Sequence, residues 1–115
     1  MYYKKDTLHF KNIVLPDPQI KAICLTIPII AGLKKVIFQS NNLNDEMVPP
    51  ILFACYMNPD VNSISFHNNF LRGSAAATYY ELSSVYPDRI AEFSLQNSIH
   101  VNDHAEMWTL DMELQ

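Results

Sequence analysis

Two histidines and an aspartate lie within five residues near the C-terminus, in the segment HVNDH at positions 100–104. Imidazole nitrogens and carboxylate oxygens are ligands for zinc or nickel, so a turn that gathered these side chains could hold such an ion. On an extended strand, however, the two imidazoles would lie about 13 Å apart, too far to share one metal. A polar turn before a final strand explains the segment without a metal. We therefore predict no metal site and no other cofactor.

The cysteines and serines of the sequence are not accompanied by the residues that would activate them as nucleophiles. Cys24 lies in IKAICLTIPII and Cys55 in ILFACYMN, apolar surroundings that raise a thiol pKa and leave the sulfur unreactive. The serines belong to no G-x-S-x-G motif, and with two glycines the chain contains no phosphate-binding loop. We predict that the protein is not an enzyme.

The aromatic residues admit one alternative function, carbohydrate binding or adhesion to a host surface. Rings that stack on sugars, together with amide groups in loops, are the materials of such a site. The candidate rings are Tyr2, Tyr3, Tyr79, Tyr80, Tyr86 and Trp108. Core or sheet packing explains the same rings without a ligand.

Lysines near aromatic rings, in YYKK and LKKVIF, also resemble the surface of a single-strand-binding fold. A pI of about 5.4 and only two arginines oppose that interpretation, because few cations would contact phosphates. We predict no nucleic-acid partner. No apolar run reaches the roughly 18 residues that would span a membrane, and the N-terminus lacks the features of a secretion signal.

The elements that would position these residues are predicted to be strands. About eight apolar segments follow one another every ten to fourteen residues, and asparagine and proline mark the turns between them. The predicted strands are YYKKDTLHF with KNIVL, IKAICLTIPII, LKKVIFQS, ILFACYM, VNSISFH, AATYYELSSVY, RIAEFSLQ and the terminal EMWTLDMELQ. The fold class expected is all-β, a single β-sandwich domain over residues 1–115 with an N-terminal arm, possibly a jelly roll.

Three segments carry more specific predictions. Residues 20–30 and 51–57 are apolar at both parities, as in central strands covered on both faces. Asn68 and Asn69 are predicted to turn a hairpin in SISFHNNFLR. Residues 73–85 could be a strand or a short helix with Ser74 as its N-cap. No internal repeat is evident. The expected core comprises Ile23, Leu25, Ile27, Phe38, Phe53, Phe66, Phe93 and Trp108.

Charge is unevenly distributed along the chain. Residues 1–35 hold six lysines against two acids, whereas residues 36–115 hold two arginines against ten acids. Pairing within one fold explains this distribution, and so does contact between the basic part of one subunit and the acidic part of the next. In the second interpretation the contacts are made by Lys4, Lys5, Lys34, Lys35, Asp111 and Glu113.

These features favour a non-enzymatic structural protein that assembles with itself or with other structural proteins. In general character, though not in any signature residue, the sequence is similar to small phage or viral structural proteins. The leading hypothesis is therefore a virion component, such as a capsid or tail accessory protein, found in the virion or the host cytoplasm. The alternatives are the carbohydrate-binding or adhesion module and a small intracellular protein inhibitor.

Overall fold

The computed structural model describes residues 2–4 by their backbone, and residues 6–71 and 73–96. The strands are β1 (Tyr2–Lys4), β2 (Thr7–Lys11), β3 (Lys35–Gln39), β4 (Ser63–His67) and β5 (Glu92–Ser94). The helices are α1 (Asp17–Thr26), α2 (Val48–Met57) and α3 (Gly73–Val85), with two 3-10 turns at Ile27–Ile29 and Asp45–Met47. Within these ranges no helix is long and apolar enough to cross a membrane.

The predicted β-sandwich is wrong, because the described chain alternates strand and helix around one mixed sheet. The sheet order is β1-β2-β3-β4-β5; β2 to β5 run parallel, and β1 pairs antiparallel with β2. Parallel neighbours need a crossover between them, and the three helices supply it. The virion hypothesis rested on the sandwich and loses its support with it. The predicted terminal strand and Trp108 lie outside the described residues.

The strands belong to a repeat of 28 residues, contrary to the expectation of none. Thr7, Lys35 and Ser63 are register partners on adjacent strands, each 28 positions after the last, and Glu92 continues the row after 29. From Leu33 and from Val61 the chain follows the spacing L-x-x-L-x-L-x-x-N-x-L, which is that of leucine-rich repeats. In such arrays each unit contributes one strand and one helix, and stacking of neighbours creates a continuous core.

The same repeat explains why two predicted strands are helices. Ile20, Ile23, Cys24 and Ile27 follow the i, i+3, i+4, i+7 spacing of one helical face, and residues 48, 51, 52 and 55 of α2 repeat it 28 positions later. Prolines open both helices, in DP and VPP, at first-turn positions where a missing N–H costs nothing. Residues 73–85 are also helical, with Ser74 inside the first turn rather than at the cap.

The core lies between the sheet and the helices. Phe10, Phe38 and Phe66 occupy equivalent positions on β2, β3 and β4, and their rings stack with centroids 5.1 and 5.6 Å apart. Of the predicted core, Ile27, Phe38, Phe66 and Phe93 are buried, as expected, and Ile23 is half-buried. Leu25 and Phe53 were predicted wrongly, since they are 78% and 54% exposed. Both were assigned to central strands covered on both faces, whereas each lies on the exposed side of a helix.

Each strand of the first three repeats ends on a residue in the left-handed region. These residues are Asn12, Ser40 and Asn68, with φ of 57°, 56° and 54°. The hairpin predicted at Asn68 and Asn69 is wrong: Asn68 takes the left-handed conformation of a turn, Asn69 does not, and no antiparallel strand follows. The chain instead turns inward, so that Asn69 is buried at 6% exposure and the path continues into α3.

A second set of polar side chains joins the repeats at the rim where the helices end. The buried Asn58 donates from Nδ2 to the carbonyls of Ile27 and Ile30, both at 2.8 Å. One repeat later, Arg89 donates from Nη2 to the carbonyls of Tyr56 and Asn58, also at 2.8 Å. Each side chain thus adds hydrogen bonds to carbonyls at the helix end of the preceding repeat, where intrahelical partners run out.

Candidate binding face of the parallel sheet

Three rows of side chains cover the sheet surface that faces away from the helices, here called the outer sheet face. In each strand the residues at alternate positions are buried, for example Val36 and Phe38 in β3, so their neighbours point to the other side. The first row is Thr7, Lys35, Ser63 and Glu92; the second is His9, Ile37, Ser65 and Ser94; the third is Lys11, Gln39 and His67.

The topology explains why the helices leave this face uncovered. Crossovers between parallel strands are right-handed, so a chain that always moves to the next strand in the same direction places every helix on the same side. Packed helices stand 8–10 Å apart whereas paired strands stand about 4.8 Å apart, so such an array curves towards its sheet. The outer sheet face, which points away from the helices, therefore lies on the concave side of the array.

The two histidines of this face are electrostatically coupled across β3. The Gln39 Oε1 can only accept, so the 3.0 Å contact with His9 Nε2 places a hydrogen on that nitrogen. Partial burial of His67 and, secondarily, the charge of His9 lower the pKa of His67 below its ordinary value of 6.5. The face therefore disfavours protonation of His67.

A polar groove of about 500 Å³ lies beside β5, between part of the outer sheet face and α3. Its lining combines hydroxyl groups with one cation and one carboxylate. The sheet contributes Lys35, Ser63, Ser65, Glu92, Phe93 and Ser94; the helix and the loop after it contribute Tyr79, Tyr80, Ser83 and Ala91. Ser63 is 3% exposed and lies in register between Lys35 and Glu92.

The predicted assembly residues are only partly within the described chain. Lys34 and Lys35 are exposed, and the backbone amides of both donate to the Asp6 carbonyl at 2.8 and 3.0 Å. Lys35 stands in the first row of the outer sheet face. Lys4 lies on β1, where only the backbone is described; Lys5, Asp111 and Glu113 lie outside the described residues.

Of the aromatic residues considered for sugar binding, Tyr79 and Tyr80 contact each other with centroids 5.6 Å apart and both line the polar groove, whereas Tyr86 is not in its lining. Tyr79 stacks on Phe93 with centroids 4.3 Å apart, and its hydroxyl donates to the Ile90 carbonyl at 2.9 Å. Tyr86 contacts Tyr56 with centroids 5.9 Å apart. The side chains of Tyr2 and Tyr3, and all of Trp108, are not described.

The structure describes both cysteine thiols but not the candidate metal-binding segment HVNDH. The segment at positions 100–104 lies outside the described residues, and within them no group of three or more His, Cys, Asp and Glu side chains could hold an ion. Cys24 and Cys55 are free thiols. Burial raises the pKa of both, and in Cys55 the neighbouring Cys24 thiol adds to the increase. Neither sulfur is therefore activated as a nucleophile.

Sequence reasoning missed the outer sheet face altogether. The signal in the sequence was the spacing of 28 residues between LHFKNIVL, VIFQSNNL and ISFHNNFL, in which all the alternate positions between the buried residues of the strands are polar except Ile37. Once the segments are aligned on this period, the three rows can be written from the sequence. Neither a family model nor a curated protein matches the chain significantly, so the repeat is established by register and packing alone.

Proposed function

We propose that this protein is a non-enzymatic binding module that takes a protein partner on its outer sheet face. The observation that carries the proposal is the register of four parallel strands, which presents three rows of side chains on one surface with all the helices behind it. Curved repeat arrays offer extended surfaces of this kind to partners.

The scaffold behind this face is rigid, which favours recognition of a folded or extended protein surface. The stacked Phe10, Phe38 and Phe66 fix the inner side of the strands, and Asn69 fixes the strand ends. Little ordering entropy is then lost at the module when a partner binds. Serine and threonine hydroxyls in the first two rows leave room for a partner's side chains.

The charges of the face indicate what such a partner presents. Lys11 and Lys35 stand on β2 and β3, whereas Glu92 stands on β5 at the other end of the rows. A partner with acidic groups opposite β2 and β3 is therefore favoured, because complementary charge fixes orientation and accelerates encounter. Sugar binding has less support, since none of the tyrosines whose side chains are described lies in the three rows.

Site-specific photo-crosslinking in the source cells tests the proposal. A photo-reactive amino acid at Ser65, in the middle of the outer sheet face, should yield a discrete crosslinked protein. The same group at the exposed Ser74, in the first turn of α3 on the helix side, is the matched control and should not. Lys35→Glu should abolish the Ser65 product. Equal products at both positions, none at Ser65, or a product indifferent to the charge reversal would contradict the proposal.

A further inference from the structure

Exposed apolar side chains occupy equivalent positions of the repeat, in the 3-10 turn after α1 and at the ends of α2 and α3. Ile29, Met57 and Val85 lie 28 positions apart and are 79%, 71% and 66% exposed. Equivalent residues of successive repeats lie side by side, at about the 8–10 Å spacing of packed helices. The three side chains therefore form one row along the rim where the helices end.

A second row lies one helical turn earlier, on the same side of the helices. Leu25 and Phe53 precede Ile29 and Met57 by four positions and are 78% and 54% exposed, and the third member is the exposed acid Glu81. Tyr86, at 50% exposure, adjoins Val85. Together Leu25, Ile29, Phe53, Met57, Val85 and Tyr86 are called the apolar rim. Single exposed apolar residues are ordinary, but a contiguous set marks an interaction surface.

The size of the apolar rim matches an interface between proteins. At the stated exposures its six side chains present roughly 700 Å², close to the ~800 Å² that each partner contributes to a standard interface. Three repeats give its first row three members, with Met57 in the middle. Because the first row has a central member, a two-fold axis at that member can place the row of one chain against the reversed row of a second, identical chain.

We propose that the apolar rim joins two copies of this chain around a two-fold axis that runs along the helices at Met57. The axis places Met57 against Met57 of the partner subunit and Ile29 against Val85 of the partner subunit. It also brings Glu81 opposite Leu25 of the partner subunit, one helical turn from the exposed Lys21 on the same helix. At each end of the interface, Glu81 of one chain then pairs with Lys21 of the partner subunit, outside the apolar centre.

This dimer leaves the outer sheet face free, because the apolar rim lies on the helix side of the array. The inference therefore stands independently of the proposed partner, and the two can fail separately. A dimer would present two outer sheet faces, so that a partner with two matching sites would gain from binding both.

Sedimentation measured across a wide range of protein concentrations tests the dimer. The wild type should show a reversible monomer–dimer equilibrium. Met57→Glu should raise the dimer dissociation constant by about 100-fold or more, because it places two carboxylates against each other in the centre of the interface. Val14→Glu is the matched control: Val14 is 63% exposed but lies after β2, away from the helix ends, and its variant should dimerise like the wild type.

A charge-complementation experiment tests the two-fold arrangement. Met57→Lys and Met57→Glu should each be monomeric alone, yet an equimolar mixture should recover a dimer containing one chain of each kind. Circular dichroism should show both variants folded, since Met57 is 71% exposed. A monomeric wild type would overturn the dimer, as would dissociation by Val14→Glu. A mixture that stays monomeric would overturn the axis at Met57.

Discussion

The side chain of Asn69 crosses to the preceding repeat, where its Oδ1 accepts the backbone amide of Asn41 at 3.0 Å. The same oxygen accepts the amide of Leu43 at 3.1 Å, and Nδ2 donates to the carbonyls of Phe38 and His67 at 3.1 and 3.0 Å. One carboxamide thereby makes hydrogen bonds to four backbone groups of two repeats where the chain leaves the sheet. Position 69 is therefore specified by hydrogen bonding rather than by volume.

Replacing Asn69 by alanine should lower the free energy of unfolding by about 3 kcal/mol or more, since buried backbone groups lose their partners. Asn41→Ala is the matched control: Asn41 is equally interior, but its side chain donates a single bond, to the Ile13 carbonyl at 2.8 Å. Its loss should be about 2 kcal/mol smaller. Urea unfolding of both variants measures the difference. Equal losses would mean that Asn69 acts only by filling space.

Arg89 should contribute to stability through its fork of donors. Arg89→Met keeps most of the apolar stem but removes both 2.8 Å bonds to the Tyr56 and Asn58 carbonyls, so we expect a loss of about 2 kcal/mol. Arg89→Lys should recover part of it, because one ammonium cannot reproduce the planar fork. Thermal unfolding distinguishes the two. If Arg89→Lys equals the wild type, charge alone accounts for the effect.

Ser40 offers a stabilising substitution. Its φ of 56° lies in the left-handed region, where a serine side chain is strained, whereas the equivalent positions 12 and 68 carry asparagine. Ser40→Gly or Ser40→Asn should raise the free energy of unfolding by about 0.5–1 kcal/mol. Ser40→Val should lower it by more, since a β-branched residue tolerates that region worst. Denaturant midpoints of the three variants give the order, and a more stable valine variant would refute it.

His67 should make the protein less stable in mild acid. Its pKa in the folded state lies below the ordinary value of 6.5, so the unfolded chain takes up a proton first as the pH falls. The contribution of neutral His67 to the stability of the fold is thus fully present above pH 6.5 and is lost as the pH falls below that value. His67→Gln should remove this part of the pH dependence. The ring proton shifts of His67, followed by NMR, give the pKa directly. His9→Gln should raise that value, and no change would show that the two rings are uncoupled.

Part of the fold could be predicted from sequence. The segments YYKKDTLHF with KNIVL, LKKVIFQS and VNSISFH were predicted as strands, and β2, β3 and β4 lie within them. Ile20–Ile30 was misassigned because isoleucine is common in strands, although its buried residues follow the helical period. The prolines that precede Ile20 and Ile51 were taken for turns, whereas they mark the starts of α1 and α2.

The binding face could not be derived without the repeat. Lys35, Ser63 and Glu92 are far apart in sequence and individually ordinary, and they become neighbours only when strands 28 and 29 positions apart pair in parallel. An antiparallel sandwich would have placed the same residues on different surfaces. The apolar rim was hidden for the same reason, since Leu25 and Phe53 look like core residues until the helices are known.

The 28-residue period has a consequence for the length of the molecule. Every strand pairs only with its neighbours, and α1 packs on α2 as α2 packs on α3. No contact of the described elements requires a particular number of units, so a duplicated unit inserted between β3 and β4 would meet compatible surfaces on both sides. Each insertion would widen the outer sheet face by one strand, about 4.8 Å. The breadth of partner that the protein accommodates is thus adjustable by gene duplication in fixed steps.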